Sequence, residues 1–297
     1  MPKLKVLIIG SGGREHALVW KLSRSKKIKN IYCAPGNPGT AQIAENVPIK
    51  PGSGLKGIKG LTPMVQFAKK NKIDLTFVGP EAPLIEGIVD IFRKNKLTIV
   101  GPSKKAAQLE GSKAFAKKIM KKYGIPTAKY ESFTDFKKAK EYLERSSYPI
   151  VIKASGQALG KGVLVAKNKK EATAFLQKVM VDKIFGDSGK EVVIEEYLVG
   201  PELSFMLATD GKDFVSFLPS QDHKRIFDGD RGPNTGGVGA YAPVPFVDKK
   251  LIKKIENEIV IPVLTGMRKE GIPYEGILYP GLILTKDGPK VLEFNCR

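Results

Sequence analysis

The chain has 297 residues, 42% of them hydrophobic, enough to build the cores of two or three domains, so disorder is not its default state. Its formal charge of +20 comes mostly from lysine pairs such as Lys69-Lys70, Lys117-Lys118 and Lys121-Lys122. No arginine-rich tract or interleaved aromatics accompany them, which argues against nucleic-acid binding and leaves a basic surface able to draw in small polyanions.

In chain order, residues 4–9, 28–33, 75–78 and 97–100 are short apolar runs, each leading into Gly or Pro. Residues 14–25, 61–70 and 84–94, between them, have helical spacing. Continuous apolar strands alternating with amphipathic helices predict a parallel, doubly wound α/β sheet. Ligands bind such sheets at the carboxyl ends of the strands, which singles out the loops at residues 10–14, 35–39 and 79–83. The first apolar run is too short for a signal peptide, and no stretch approaches the roughly 20 apolar residues of a membrane span. Cys33 and Cys296 are far apart and belong to no Cys/His cluster, which argues against a disulfide framework or zinc site and fits a reducing, cytoplasmic setting.

A lysine-rich helix is predicted over residues 103–122, closed by Gly124 and followed by Pro126. From Pro149 the texture becomes α+β. Strands at 150–153 and 162–166 flank a glycine-rich turn, a helix follows at 171–181, and strands are expected at 192–197, 203–208 and 214–218. A helix over 248–269, kinked at Pro262, precedes two strands at 276–285 and 290–295.

Three features of this second region carry chemistry. Lys153 leads into Ser155-Gly156-Gln157-Ala158-Leu159-Gly160-Lys161-Gly162. Glycines there, Gly160 and Gly162 among them, let backbone N–H groups approach phosphate while Lys153 and Lys161 supply charge. The pattern is not a P-loop, and a flexible hairpin accounts for it equally well. Next, Glu195-Glu196-Tyr197-Leu198 and Glu202 place acids where a strand enters a turn, suited to adenine and ribose or simply to solvent. Last, in a strand Glu293, Asn295 and Arg297 share one face. A carboxylate and an amide oxygen two residues apart suit Mg²⁺ bridging phosphates, although an edge strand with a polar outer face reads the same way. Together and in this order, the three features resemble an ATP-grasp nucleotide site.

Further motifs narrow the resemblance: VLIIGSGGREHAL at residues 6–18, APGNPGTA at 34–41, VGPEAPL at 78–84, GPSKKAAQLEGSKAFA at 101–116, PSQDHKR at 219–225, GPNTGGVGAYA at 232–242 and EFNCR at 293–297. With these the chain is similar to the phosphoribosylamine–glycine ligase family from Leu4 to its last residue. The resemblance implies an N-terminal pre-ATP-grasp substrate domain over residues 1–102. An α+β ATP-grasp region over 103–297 follows, with a mobile nucleotide-binding lid at about 124–198. It also implies ATP-dependent ligation of glycine to 5-phosphoribosylamine through glycyl phosphate, with Mg²⁺ or Mn²⁺, and no nucleic-acid or membrane partner.

Carried over residue by residue, Lys113, Lys153 and Lys161 fall to the ATP phosphates. Glu195, Glu196, Leu198 and Glu202 fall to adenine and ribose, and Glu293 and Asn295 to the metal. Asp222, Lys224, Arg225 and Arg297, with the Thr235-Gly236-Gly237 turn, fall to glycine, the acyl phosphate or the ribosylamine. Gly10, Gly12, Gly13, Arg14, Glu15, Pro80 and Glu81 fall to the phosphoribosylamine cradle.

The loop at residues 10–13 also mimics a dinucleotide fingerprint. However, the second strand ends in Cys33-Ala34-Pro35, where a ribose-binding acid would be expected, so NAD is not the expected ligand. His16 is read as structural and His223 as orienting a neighbour. Two departures from the family pattern stand out. Ser155 and Gln157 replace an Asp and a Leu in the glycine loop. The family also continues past the Glu-x-Asn strand into a further domain. The expectation is therefore a ligase, working alone or completed by a separate C-terminal polypeptide, or else an inactive fragment that binds MgATP.

Overall fold

A strand whose successive residues are all apolar must be covered on both faces, and β1 (Leu4–Gly10) shows this, with Val6, Leu7, Ile8 and Ile9 fully buried. Val6 and Ile8 share a core with Val19, Leu18 and Leu22 of α1 (Gly13–Ser23). Leu7 and Ile9 pack on the other side with Leu61 and Met64 of α2 (Ile58–Lys70) and Phe92 of α4 (Ile88–Lys94). The computed structural model describes residues 3–50, 58–158, 161–223, 225–229, 231–235 and 239–297. Its first sheet is parallel throughout, in the order β3–β2–β1–β4–β5, with β2 (Ile28–Pro35), β3 (Glu45–Asn46), β4 (Leu75–Val78) and β5 (Ile99–Val100).

The helix predicted over 84–94 is two helices, α3 (Glu81–Glu86) and α4, because Gly87 takes φ +98° between them. The one predicted over 103–122 is likewise divided, into α5 (Gln108–Gly111) and α6 (Lys113–Lys122). Ser112 is the break: its backbone is extended and its hydroxyl accepts from Phe115 N–H, capping α6.

A second sheet, antiparallel in the order β6–β9–β7–β8, contains β6 (Tyr130–Phe133), β7 (Ile150–Ala154), β8 (Val163–Ala166) and β9 (Val192–Glu196). Helices α7 (Phe136–Glu144) and α8 (Lys169–Met180) cover it, and Leu143, Leu176, Ile152 and Ile194 meet in a core of their own. Neither β6 nor α7 was expected from the sequence pattern.

The third sheet is built on β17 (Gly276–Thr285). On one edge of β17 lies β18 (Gly288–Cys296). Along the other lie β10 (Glu202–Ser204) and β11 (Leu207–Thr209), the latter also paired with β12 (Phe214–Ser216). The single strand predicted over 203–208 is thus two. Short hairpin pairs follow, β13 (Gln221–Asp222) with β16 (Ala240–Tyr241) and β14 (Arg225–Phe227) with β15 (Arg231–Asn234). Helices α6, α9 (Lys249–Ile255) and α10 (Ile261–Lys269) share the largest core with this sheet. At the predicted kink lies a π-helical turn, Glu256–Val260, which ends two residues before Pro262, the residue that has no N–H to donate.

One irregularity in the third sheet sets the site. In the β17–β18 ladder Leu282 pairs with Val291 but Gly281 pairs with Glu293, so Leu292 is an extra, bulged residue. Before the bulge Pro289 and Val291 are buried; after it Phe294 and Cys296 are. Unbroken alternation from Val291 would turn Glu293 and Asn295 into the core. The bulge turns them out.

The carboxyl ends of β1 and β4 are crowded by one buried acid. A Cβ added at Gly79 would lie 1.8 Å from Glu15 Oε1, and Glu15 is held by Gly12 N–H at 2.5 Å. Gly79→Ala is therefore expected to cost about 1–3 kcal/mol through overpacking. An unchanged denaturation midpoint would contradict this packing.

Candidate functional site

A cleft of about 510 Å³ opens where the three sheets approach one another. Arg14 and Glu81 line it from the first unit, Gly162 from the second, Lys113 from α6, Lys153 from β7, and Glu293, Asn295 and Arg297 from β18 and its end. Eight residues expected at a site from sequence thus meet in one place.

Its floor is a buried charge cluster. Glu195 on β9 is 2% exposed, and its carboxylate pairs with both Lys153 Nζ and Lys117 Nζ, the latter at 2.5 Å. Burial pushes the Glu195 carboxyl up, but Lys153 and Lys117 outweigh it and hold it below the ordinary carboxylate range. Burial lowers Lys117, with Glu195 pulling against it. Lys117 also donates to Thr127 Oγ1 at 2.8 Å, and Thr127 Oγ1 donates to Val291 O at 2.7 Å. Lys153 donates to the carbonyl of the bulged Leu292 at 3.2 Å. The cluster therefore ties α6, the second sheet and β18 together directly beneath Glu293. Two ammonium groups against one carboxylate leave net positive charge facing the cleft.

Lys117 was counted in the sequence only as part of a lysine pair. The available signal was its position four residues after Lys113, which puts both on one side of α6. Lys113 donates to Gly156 O at 3.3 Å, and its backbone N–H to Ser155 O at 2.8 Å. Burial lowers its ammonium, with Glu293 the strongest opposing charge. Ser155, one of the two departures in the glycine loop, is buried and its Oγ accepts from Ala114 N–H at 3.1 Å, anchoring the loop to the start of α6.

At the other end of the cleft Arg297 lies between two acids. Its Nη1 donates to Glu110 Oε2 at 2.8 Å and its Nη2 to Glu81 Oε2 at 2.9 Å. Glu110 Oε2 also accepts from Cys296 N–H at 2.6 Å. Burial pushes Glu110 up and Arg297 draws it back. Glu110 is a second site residue that nothing in the sequence pattern singles out.

The remaining expected residues lie elsewhere. Gly10 ends β1 with φ +130°, Gly12 caps α1, Gly13 begins α1, Glu15 is buried behind that loop, and Pro80 caps α3. Glu196 accepts from Lys129 N–H at 2.9 Å and lies 3.8 Å from Lys290, facing away from the charge cluster. Leu198 is half-buried just after β9, and Glu202 begins β10. Lys161 is exposed beside Gly162. Asp222 pairs with Ala240 in a hairpin, and Thr235 Oγ1 donates to His223 O at 3.0 Å. Arg225 is described through its backbone only, while Gly160, Lys224, Gly236 and Gly237 lie outside the described residues. The ring of His16 lies against Gly39, where an added Cβ would come within 2.3 Å of it.

The donors present suit a hard divalent cation. Glu293 is exposed to the cleft with neither hydrogen bond nor ion pair among the described residues, and Asn295 follows on the same face. Among the described residues no group of three or more His, Cys, Asp or Glu could hold a metal alone. Two protein oxygens, with the rest from phosphate and water, is a normal Mg²⁺ environment.

Comparison with known proteins gave a consistent set of likenesses. Residues 4–110 match the family model for the phosphoribosylglycinamide synthetase N domain, and residues 111–297 match that for its ATP-grasp (A) domain. A phosphoribosylamine–glycine ligase of Ralstonia nicotianae is 52% identical over 297 residues, covering 99% of this chain and 68% of the relative. The crystal structure of a phosphoribosylamine–glycine ligase from Thermotoga maritima superposes with a TM-score of 0.84 at 37% identity, covering 99% of this chain and 69% of that one. The chain spans about two thirds of the length of both. The biotin carboxylase domain of Hydrogenobacter thermophilus 2-oxoglutarate carboxylase, crystallised with MgADP, matches at a TM-score of 0.74 and 19% identity over 100% of this chain and 64% of that one, a likeness of fold alone.

Proposed function

The chain belongs to the phosphoribosylglycinamide synthetase family, and from that membership we propose that it ligates glycine to 5-phosphoribosylamine in purine biosynthesis, using ATP. The observation that carries the reading is the convergence of Lys113, Lys153, Glu293, Asn295 and Arg297 on one cleft. Phosphoryl transfer to a carboxylate asks the protein for alignment and charge neutralisation, and it needs no protein nucleophile. Glycine's carboxylate oxygen attacks the γ-phosphorus, giving glycyl phosphate and ADP. The amine of 5-phosphoribosylamine then attacks the acyl carbon, phosphate leaves, and the amine gives up a proton.

Lys113 and Lys153 lie against the transferring phosphates, and Lys117 keeps Glu195 neutralised when Lys153 turns toward them. Glu196, Leu198 and Glu202 receive adenine and ribose at the hinge after β9, and the span 124–198 closes as a lid. Glu293 and Asn295 would hold Mg²⁺ or Mn²⁺, which when bound screens the β- and γ-phosphate charge. Arg14, Pro80 and Glu81, with the loop at Gly10, Gly12 and Gly13, take the phosphoribosyl group. These are small water-soluble substrates, in keeping with a cytoplasmic reaction, and no helix among the described residues is long and apolar enough to cross a membrane.

The test is ADP release from purified protein with Mg²⁺, ATP, glycine and freshly generated 5-phosphoribosylamine, each omitted in turn. ADP should form only with the full set. ADP release that continues without glycine would overturn the proposal, and nucleotide binding without any ADP formation would favour a nucleotide-binding unit instead.

A further inference from the structure

Glycine enters as a zwitterion, so a site that holds its carboxylate beside the γ-phosphate must also receive an ammonium two bonds away. The positive end of the cleft, at Lys113 and Lys153, suits phosphate and repels that ammonium. Glu195 is already taken up by two lysines, whereas two further acids flank Arg297. Arg297 carries one positive charge and is gripped by two carboxylates, Glu110 and Glu81, at 2.8 and 2.9 Å. That cluster is net negative by one charge.

Glu110 is the acid better placed for the ammonium. It lies three residues before Lys113, and its Oε2 accepts the N–H of Cys296, the residue next to Asn295. Oε2 is thereby occupied twice, by Cys296 and Arg297, whereas Oε1 has no hydrogen-bond partner among the described residues. Glu110 lines the cleft, so its carboxylate can still accept from a ligand there. Arg297 Nε, by contrast, is sealed from solvent and offers nothing to a ligand. A carboxylate oxygen that its neighbours leave unpaired is the complement of an ammonium. Lys113 feels the charge of Glu110 but, like Arg14, makes no hydrogen bond or salt bridge to it among the described residues.

We propose that Glu110, steadied by Arg297 and the Cys296 N–H, accepts the ammonium of glycine and makes the cleft selective for an amino acid over a simple carboxylic acid. This rests on the ligase reading above and assigns a specificity role within it. Burial raises the Glu110 carboxyl despite Arg297, and an arriving ammonium supplies the second countercharge the buried acid lacks. Charge-assisted hydrogen bonds of this kind set the expected effect.

Steady-state constants for Glu110→Gln and Glu110→Asp test the assignment, alongside equilibrium dialysis of labelled glycine with MgADP. Glu110→Gln should raise the KM for glycine by roughly 10- to 100-fold and leave the KM values for ATP and 5-phosphoribosylamine within about twofold. Glu110→Asp should recover part of the glycine affinity. A glycine KM that does not move overturns the assignment, as do three constants shifting together or a shift confined to 5-phosphoribosylamine. In dialysis, glycine retained by the wild type and lost from Glu110→Gln supports it without any turnover. Equal retention by both overturns it. A wild type that retains labelled glycine yet releases no glycine-dependent ADP leaves Glu110's role standing while the ligase reading fails.

Discussion

Glu293→Ala is expected to lower glycine-dependent ADP formation by about 100-fold or more while leaving stability within about 0.5 kcal/mol. The two halves of that expectation have separate causes. Glu293 is exposed, carries no hydrogen bond or ion pair among the described residues, and contributes nothing to the core formed by its neighbours Phe294 and Cys296. Its removal therefore leaves the fold intact. The carboxylate is also the one charged oxygen that β18 offers to a metal-bound triphosphate, so its loss falls on nucleotide binding and phosphoryl transfer. Raising Mg²⁺ should recover part of the rate, because a weakened site is refilled by mass action. A variant with near wild-type activity would remove Glu293 from the chemistry. One that fails to fold would show that the bulged strand depends on it structurally.

The largest effect on stability is expected at Glu195. Glu195→Gln leaves Lys117 and Lys153 without their shared countercharge in a site where Lys117 is 2% and Lys153 8% exposed. Breaking a buried ion pair from one side costs about 3–5 kcal/mol, far more than an exposed pair would. Chemical denaturation measures it, and a loss under about 1 kcal/mol would show that the cluster is only weakly coupled. Adding Lys117→Met to Glu195→Gln should restore part of the loss, because one orphaned charge is removed.

The pH dependence follows from the same pairing. Lys153 and Lys117 depress the Glu195 carboxyl in the folded chain, so its stabilisation is present above the unfolded value of roughly 4.3 and disappears as pH falls through the lower folded value. The gap between wild type and Glu195→Gln should accordingly be full at neutral pH and close progressively below about pH 4. A gap that stays constant into acid would mean Glu195 is not ionised in the fold.

Much of the architecture was legible because periodicity reports burial. The runs at residues 4–9 and 75–78 are apolar on both faces and form strands of a parallel sheet; the run at 276–285 forms the central strand of the third sheet with its bounds as expected. Helix breaks were harder to see. Gly87 and Ser112 each interrupt an amphipathic pattern without disturbing its period, so residues 84–94 and 103–122 read as continuous. The short strand β6 and helix α7 carry few apolar residues and draw their stability from packing onto β9 and α8.

The site was legible where spacing alone decides which residues share a face, and opaque where tertiary geometry does. Glu293 and Asn295 share a face in any strand, but that the face is the cleft depends on the bulge at Leu292, which no residue type there announces. Lys117 reads as one of the surface lysine pairs, and nothing in the spacing singles out Glu110. Only the third dimension brings Glu195 to one and Arg297 to the other. Glu195 shows the converse: its position at the end of an edge-like strand suggested a ligand contact, whereas its carboxylate is taken up by two lysines.

Isotope transfer tests directly whether glycine's carboxylate is phosphorylated before the amine attacks. Glycine labelled with ¹⁸O in its carboxyl group would be supplied with Mg²⁺, ATP and 5-phosphoribosylamine, and the released phosphate examined by mass spectrometry. An acyl phosphate requires one labelled oxygen to leave with each phosphate. Phosphate carrying no label while ADP and product accumulate would exclude glycyl phosphate as the intermediate.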